Sequence, residues 1–223
     1  MSDISIYGLK TSGTLAKSIS NAQHSLNCNG DVVVRDCTFG QDGYNCLEIG
    51  LQNGYNPKNV LIENCTFEGT LSNNAILVFG TQNDAVITIR NCHFKSVSNG
   101  LRLSNKTNAT NVVVNLENCT CDSWEGTPAY AGFILLQDYT TKYTSASENP
   151  ATANLFAPEK ITINFKNCYG PQGKIMGSVE DICGSGIADK QVIYVYANYE
   201  KEGNKAAVVP FGDGSRYPTV HFE

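Results

Sequence analysis

The sequence predicts an all-β, single-domain solenoid of parallel strands at about 27 residues per coil, and three observations carry that expectation. The first is a recurring corner signature. It reads Asp36-Cys37-Thr38-Phe39, Asn64-Cys65-Thr66-Phe67, Asn91-Cys92-His93-Phe94, Asn118-Cys119-Thr120-Cys121 and Asn167-Cys168-Tyr169, with cysteines 28, 27, 27 and 49 residues apart. A fixed period of this size marks stacked repeats that bury their apolar faces only against one another. The second is alternation ahead of each cysteine. The third is a row of charges whose sign changes from copy to copy.

Each copy opens with a strand. Three residues before the cysteine stand Val34, Ile62, Ile89, Leu116 and Phe165; five before it stand Val32, Val60, Ile87, Val114 and Ile163. Between them lie Val33, Leu61, Thr88, Asn115 and Asn164. This is period-2 patterning with β-branched enrichment, the mark of a strand with one buried face. The next row holds Arg35, Glu63, Arg90, Glu117 and Lys166. Parallel neighbours lie ~4.8 Å apart. The row is therefore expected to form an outward ladder in which Glu63 and Glu117 each have a cation above and below.

The Asn/Asp position ends the strand, because Asn tolerates a left-handed backbone and can bond to stacked copies of itself. Asn64, Asn91, Asn118 and Asn167 are thus ladder residues. Cys37, Cys65, Cys92, Cys119 and Cys168 are expected to point inward after the turn, as are Phe39, Phe67 and Phe94. Thr38, Thr66, His93, Thr120 and Tyr169 are expected to point out. A further strand follows about ten residues on in each copy: Cys46–Ile49, Ala75–Phe79, Gly100–Leu103 and Gly132–Leu136.

These features together, over roughly residues 30–170, resemble the right-handed parallel β-helix of the pectin-lyase-like superfamily. The resemblance speaks to fold, since this architecture hosts lyases, hydrolases, adhesins and virus spikes. The domain reading follows from it. Residues 1–29 are expected as an N-terminal cap, irregular or helical over Thr11–Leu26. Residues 30–190 form the coils, with an inserted loop at 138–159, and residues 191–223 form a terminal rung and hairpin-like cap.

Bulk chemistry narrows the function. A net charge of −5 and a pI near 5.2 disfavour nucleic-acid partners. No apolar run is long enough to span a membrane. The opening Met-Ser-Asp-Ile-Ser-Ile lacks the basic and apolar regions of a secretory leader. A reducing compartment and structural free thiols are therefore expected for the nine cysteines, whose spacings match no zinc module. No metal or cofactor is expected.

Catalysis is not expected either. The resemblance implies polygalacturonase signatures such as Asn-Thr-Asp, Gly-His-Gly and Arg-Ile-Lys if the chain were a hydrolase, and these are absent. Outward carboxylates are expected to be neutralised by neighbours, with Glu48 pairing with Arg102 or another outward group. His93 reads as a ladder member, and His24 and His221 lie apart from any nucleophile arrangement. The insertion departs from the period by about 22 residues and carries Tyr139, Tyr143 and Asn149, with Trp124 nearby. Those four residues are the expected partner contacts.

Short β-helices of this kind resemble virion proteins of tailed bacteriophages. That resemblance implies a non-enzymatic capsid-decoration, auxiliary or spike protein. It would be made in the host cytoplasm and would dock on a major capsid or tail protein, with a homotrimer and a surface glycan among its possible partners. The alternatives are a glycan-binding or polysaccharide-degrading spike, and a bacterial surface adhesin fragment.

Overall fold

The structure is a computed structural model that describes residues 3–11, 25–41, 45–50, 55–69, 74–104, 109–123, 132–143, 160–173, 194–199, 206–210 and 219–223. Successive coils contribute strands to three sheets, of seven, five and seven strands among the described residues. Sheet one stacks β1 (Ile4–Tyr7), β4 (Val32–Arg35), β7 (Asn59–Glu63), β10 (Val86–Arg90), β13 (Val112–Glu117), β16 (Ile161–Lys166) and β19 (Thr219–Phe222). Sheet two stacks β2 (Lys10–Thr11), β5 (Thr38–Gln41), β8 (Thr66–Gly69), β11 (His93–Lys95) and β14 (Thr120–Cys121). Sheet three runs β3 (Ser25–Leu26), β6 (Asn45–Ile49), β9 (Asn74–Val78), β12 (Asn99–Ser104), β15 (Gly132–Tyr143), β17 (Tyr194–Tyr199) and β18 (Ala206–Pro210). Apart from the antiparallel pair β17 and β18, the paired strands are parallel. The protein is a parallel β-solenoid.

The register explains why these residues make this fold. Val60 faces Val32 and Ile87, and Ile62 faces Val34 and Ile89, so like positions stack directly. Both rows are 0–1% exposed from Val32 to Phe165. A one-residue slip would turn them all outward, so burial of one face locks the register. Behind the corner, Phe39, Phe67 and Phe94 stack nearly parallel, with ring centroids 5.2 and 5.5 Å apart. The file continues edge-on through Phe133 to Phe165, which stacks on Phe222. Gly100 leaves room for this turn, because a Cβ there would lie 3.0 Å from the Phe133 carbonyl oxygen.

The corner is a backbone device. Asp36, Asn64, Asn91, Asn118 and Asn167 all have φ between +49° and +55°, the left-handed region that Asn and Asp adopt more readily than other side chains. Their amides then form a ladder. Asn64 Nδ2 donates to Asp36 Oδ1 at 3.0 Å, Asn91 to Asn64 at 3.2 Å, Asn118 to Asn91 at 3.0 Å and Asn167 to Asn118 at 3.3 Å. Two substitutions separate backbone from side chain. Asn91→Gly keeps the turn and should cost ~1 kcal/mol for the lost amide bonds. Asn91→Val should cost a further ~1–2 kcal/mol for forcing a branched residue into that φ. Urea melts of the two variants check the order.

Two expectations are corrected. The segment 1–29, expected as a cap, contains a coil: β1, β2 and β3 pair in parallel with β4, β5 and β6. Ile4 and Ile6 stack on Val32 and Val34, Gly8 takes the corner at φ +66°, and Leu9 takes the cysteine's place. Within the predicted irregular stretch Thr11–Leu26, residues 12–24 lie outside the described residues. The insertion at 138–159 does not begin as a loop, since β15 runs unbroken to Tyr143. Its last residues gain a partner strand, with Lys142 opposite Asn198 and Tyr143 opposite Tyr199 after a register shift. Residues 144–159 lie outside the described residues.

The thiols contribute to stability as neutral groups. Burial pushes Cys46 up from 9.0 to about 12. At Cys92 a hydrogen bond from Cys119 lowers the value, but its bond to Cys65 and burial outweigh that and leave it at about 12. An unfolded thiol ionises near pH 9 while these stay protonated, so above that pH the unfolded chain binds fewer protons. The stability from their burial is fully present below pH 9 and falls as pH rises toward 12. Melting temperature measured across that window should decline steadily, and Cys46→Ala should flatten the decline.

Candidate functional site

Outward rows on sheets one and two form the surface of the rod. On sheet one, Glu63 is the centre of an ion ladder. Its Oε1 accepts from Arg90 Nε at 2.6 Å, and its Oε2 lies 2.7 Å from Arg35 Nε. The Arg35 approach lacks hydrogen-bond alignment and counts as a coulombic contact. Glu63 is only 15% exposed, so the sandwich holds a half-buried carboxylate in charge balance.

The same row behaves differently further along. Glu117 is in register with Arg90 and Lys166, as the charge alternation predicts. Among the described residues, however, it has no cation within 4.0 Å, and Lys166 reaches instead to Glu223 at 3.5 Å. Glu117 therefore has a cation in register above and below, without a contact within 4.0 Å to either among the described residues. Lys166 is the neighbour of two carboxylates and turns to the one at the chain's last residue.

Glu48 also departs from expectation. It does not point outward, and Leu77 occupies the rung between it and Arg102. It is 3% exposed and accepts a hydrogen bond from Asn45 Nδ2 at 2.7 Å. Asn45 in turn accepts from Asn74 Nδ2 at 2.6 Å, so a buried amide ladder ends on this carboxylate. Burying a charge is tolerated where such bonds satisfy it.

Sheet two carries a constellation that sequence reasoning missed. His93 Nδ1 lies 2.7 Å from Thr120 Oγ1, and its Nε2 lies 3.1 Å from Asp122 Oδ2. With the proton on Nε2, the imidazole donates to Asp122 and accepts from the Thr120 hydroxyl. A hydroxyl, an imidazole and a carboxylate in line are the parts of a nucleophilic relay. Here they lie on an open sheet face, with the Asp122 side chain 61% exposed. Transition-state charge is best stabilised where water is excluded. The arrangement is better suited to fixing a surface than to driving acyl transfer. The legible signal was the shared outward parity of Thr120 and Asp122, but the cross-coil register was needed to bring His93 to them. Lys95 Nζ donates to Glu68 at 2.6 Å on the same face, and Tyr169 beside Thr120 is 37% exposed.

At the far end of sheet one lies a groove of about 790 Å³. Asn115, Glu117, Asn164, Lys166, His221 and Glu223 supply its polar lining. Asn164 Nδ2 donates to Asn115 Oδ1 at 2.7 Å, which fixes the amides of its floor.

Of the four expected partner contacts, Trp124 and Asn149 lie outside the described residues. Tyr139 and Tyr143 are on β15, and their side chains also lie outside them. Cys37, Cys65, Cys92, Cys119 and Cys168 are buried, and Asn64, Asn91, Asn118 and Asn167 are hydrogen-bonded from coil to coil. Among the described residues no helix is long and apolar enough to cross a membrane. Comparison of the chain with protein-family models, with curated proteins and with solved structures returns no match.

Proposed function

We propose that this chain is a non-enzymatic virion structural protein, of the capsid-decoration, auxiliary or spike kind, that docks on other virion proteins through the side faces of the solenoid. The observation that carries the reading is the rung-to-rung engagement of its outward polar groups. Glu63 is held between two arginines, Lys95 is on Glu68, and His93 is between Thr120 and Asp122. Side chains already fixed by neighbours lose less freedom on docking, which favours a stable interface over turnover. Tyr7, 58% exposed, and Tyr169 offer aromatic anchors of the kind that dominate interfaces. The virion assignment rests on the resemblance of short β-helices to tailed-phage structural proteins.

One observation favours a second reading, a glycan-binding spike. The groove lined by Asn115, Asn164, Glu117 and His221 offers amide and carboxylate groups to sugar hydroxyls. Co-sedimentation with particles lacking the protein separates the two. The docking reading expects retention on the particle, weakened roughly tenfold or more by Tyr169→Ala or Tyr7→Ala. It also expects no release of reducing sugar from host polysaccharide. Depolymerisation abolished by replacing a single carboxylate overturns it.

A further inference from the structure

Five thiols stand in file through the core. Cys37, Cys65, Cys92, Cys119 and Cys168 are each 0–1% exposed, and none is in a disulfide. Backbone bonds fix the file to the coil spacing. Thr66 N–H donates to Cys37 O at 2.9 Å, His93 N–H to Cys65 O at 2.9 Å, Thr120 N–H to Cys92 O at 3.0 Å and Tyr169 N–H to Cys119 O at 2.8 Å. From Cys65 to Cys168 each thiol also donates to a carbonyl of the preceding coil: Cys65 to Val34 at 3.8 Å, Cys92 to Ile62 at 3.7 Å, Cys119 to Ile89 at 3.4 Å and Cys168 to Leu116 at 3.4 Å. Leu9 takes the cysteine's place in the first coil. Cys28, Cys46 and Cys121 are also buried, but off the file.

The spacing selects a chemistry. Coils repeat at ~4.8 Å. A disulfide wants Cβ atoms ~3.8 Å apart, closer than in-register parallel strands set them. Two metal–thiolate bonds of ~2.3 Å placed end to end span ~4.6 Å, which matches the coil repeat. Among the described residues no three His, Cys, Asp or Glu side chains converge on a metal position, so the four-ligand geometry of zinc does not arise there. Soft thiolates without oxygen or nitrogen partners favour monovalent copper.

We propose that this file is a binding site for Cu(I), each ion bridging the thiolates of successive coils. For each bridge between two protonated thiols, two S–H bonds break, two S–Cu bonds form and two protons leave to solvent, while copper stays monovalent. A single bridged pair carries one negative charge, and sharing a thiolate between successive ions lowers the charge per ion. Affinity rises with pH because protons are displaced.

Anaerobic titration of the full chain with Cu(I) against a competing chelator tests this. The expected result is near-ultraviolet charge-transfer absorption, a raised melting temperature, unchanged β-sheet circular dichroism and a copper absorption edge with two sulfur neighbours. Cys92→Ala interrupts the file and should lower affinity at least tenfold. Cys28→Ala and Cys46→Ala, both off the file, should leave it unchanged. Should Cys92→Ala fail to fold, the sulfur count in the unaltered protein and the off-file variants still decide. No binding under competition, three or more sulfur neighbours, loss of sheet signal on loading, or affinity that tracks Cys28 or Cys46 overturns the proposal.

Discussion

Phe67→Ala should be among the most damaging single changes to this protein, at ~3–5 kcal/mol. Phe67 is 0% exposed and has a ring on each side, Phe39 at 5.2 Å and Phe94 at 5.5 Å. Truncation removes its own burial and also uncovers the faces of both neighbours. A solenoid coil contacts only the coils above and below, so no other layer can move in to fill the space. Phe67→Leu keeps most of the volume and should recover much of the loss. Guanidinium melts of the two variants give the comparison. A Phe67→Ala cost below ~1 kcal/mol would mean that the stack does not carry the core.

How much of this was legible beforehand depended on whether a residue's role is set within its own coil. Inward rows such as Val60 and Ile62 are visible as period-2 alternation, and the Asn corner is visible because few residues accept that backbone. The first coil escaped notice because it was sought through Asn-Cys, whereas Gly8-Leu9 solves the same problem with a different pair: glycine for the positive φ and leucine for the inward volume. Outward positions were harder. Glu48 has the parity of an exposed residue, yet it is buried, since sheet three has no solvated face at β6. His93 lies 27 residues from Thr120 and 29 from Asp122, across one coil, so their meeting needs the register as well as the sequence. The alternating charge row predicted opposite neighbours correctly, but not which of two acids Lys166 would choose.

The inward and outward rows of one strand pair give the sharpest test of the architecture itself. Ile89→Ala should cost ~2–5 kcal/mol, because Ile89 is 0% exposed and faces Ile62 on one side and Leu116 on the other. Glu117→Ala, on the neighbouring strand but in the outward row, should cost under ~1 kcal/mol, since it is only half-buried and has no ion pair within 4.0 Å among the described residues. Ile6→Ala supplies a third point. Ile6 has the same inward parity but lies in the first coil, with Val34 as its partner on one side only. It is partly buried, so its loss should be about half that of Ile89 or less. In urea melts the expected order is Ile89, then Ile6, then Glu117. Equal losses at Ile89 and Glu117 would contradict the inward and outward assignment. Equal losses at Ile89 and Ile6 would contradict nearest-neighbour stacking, because an end coil would then be as well packed as an interior one.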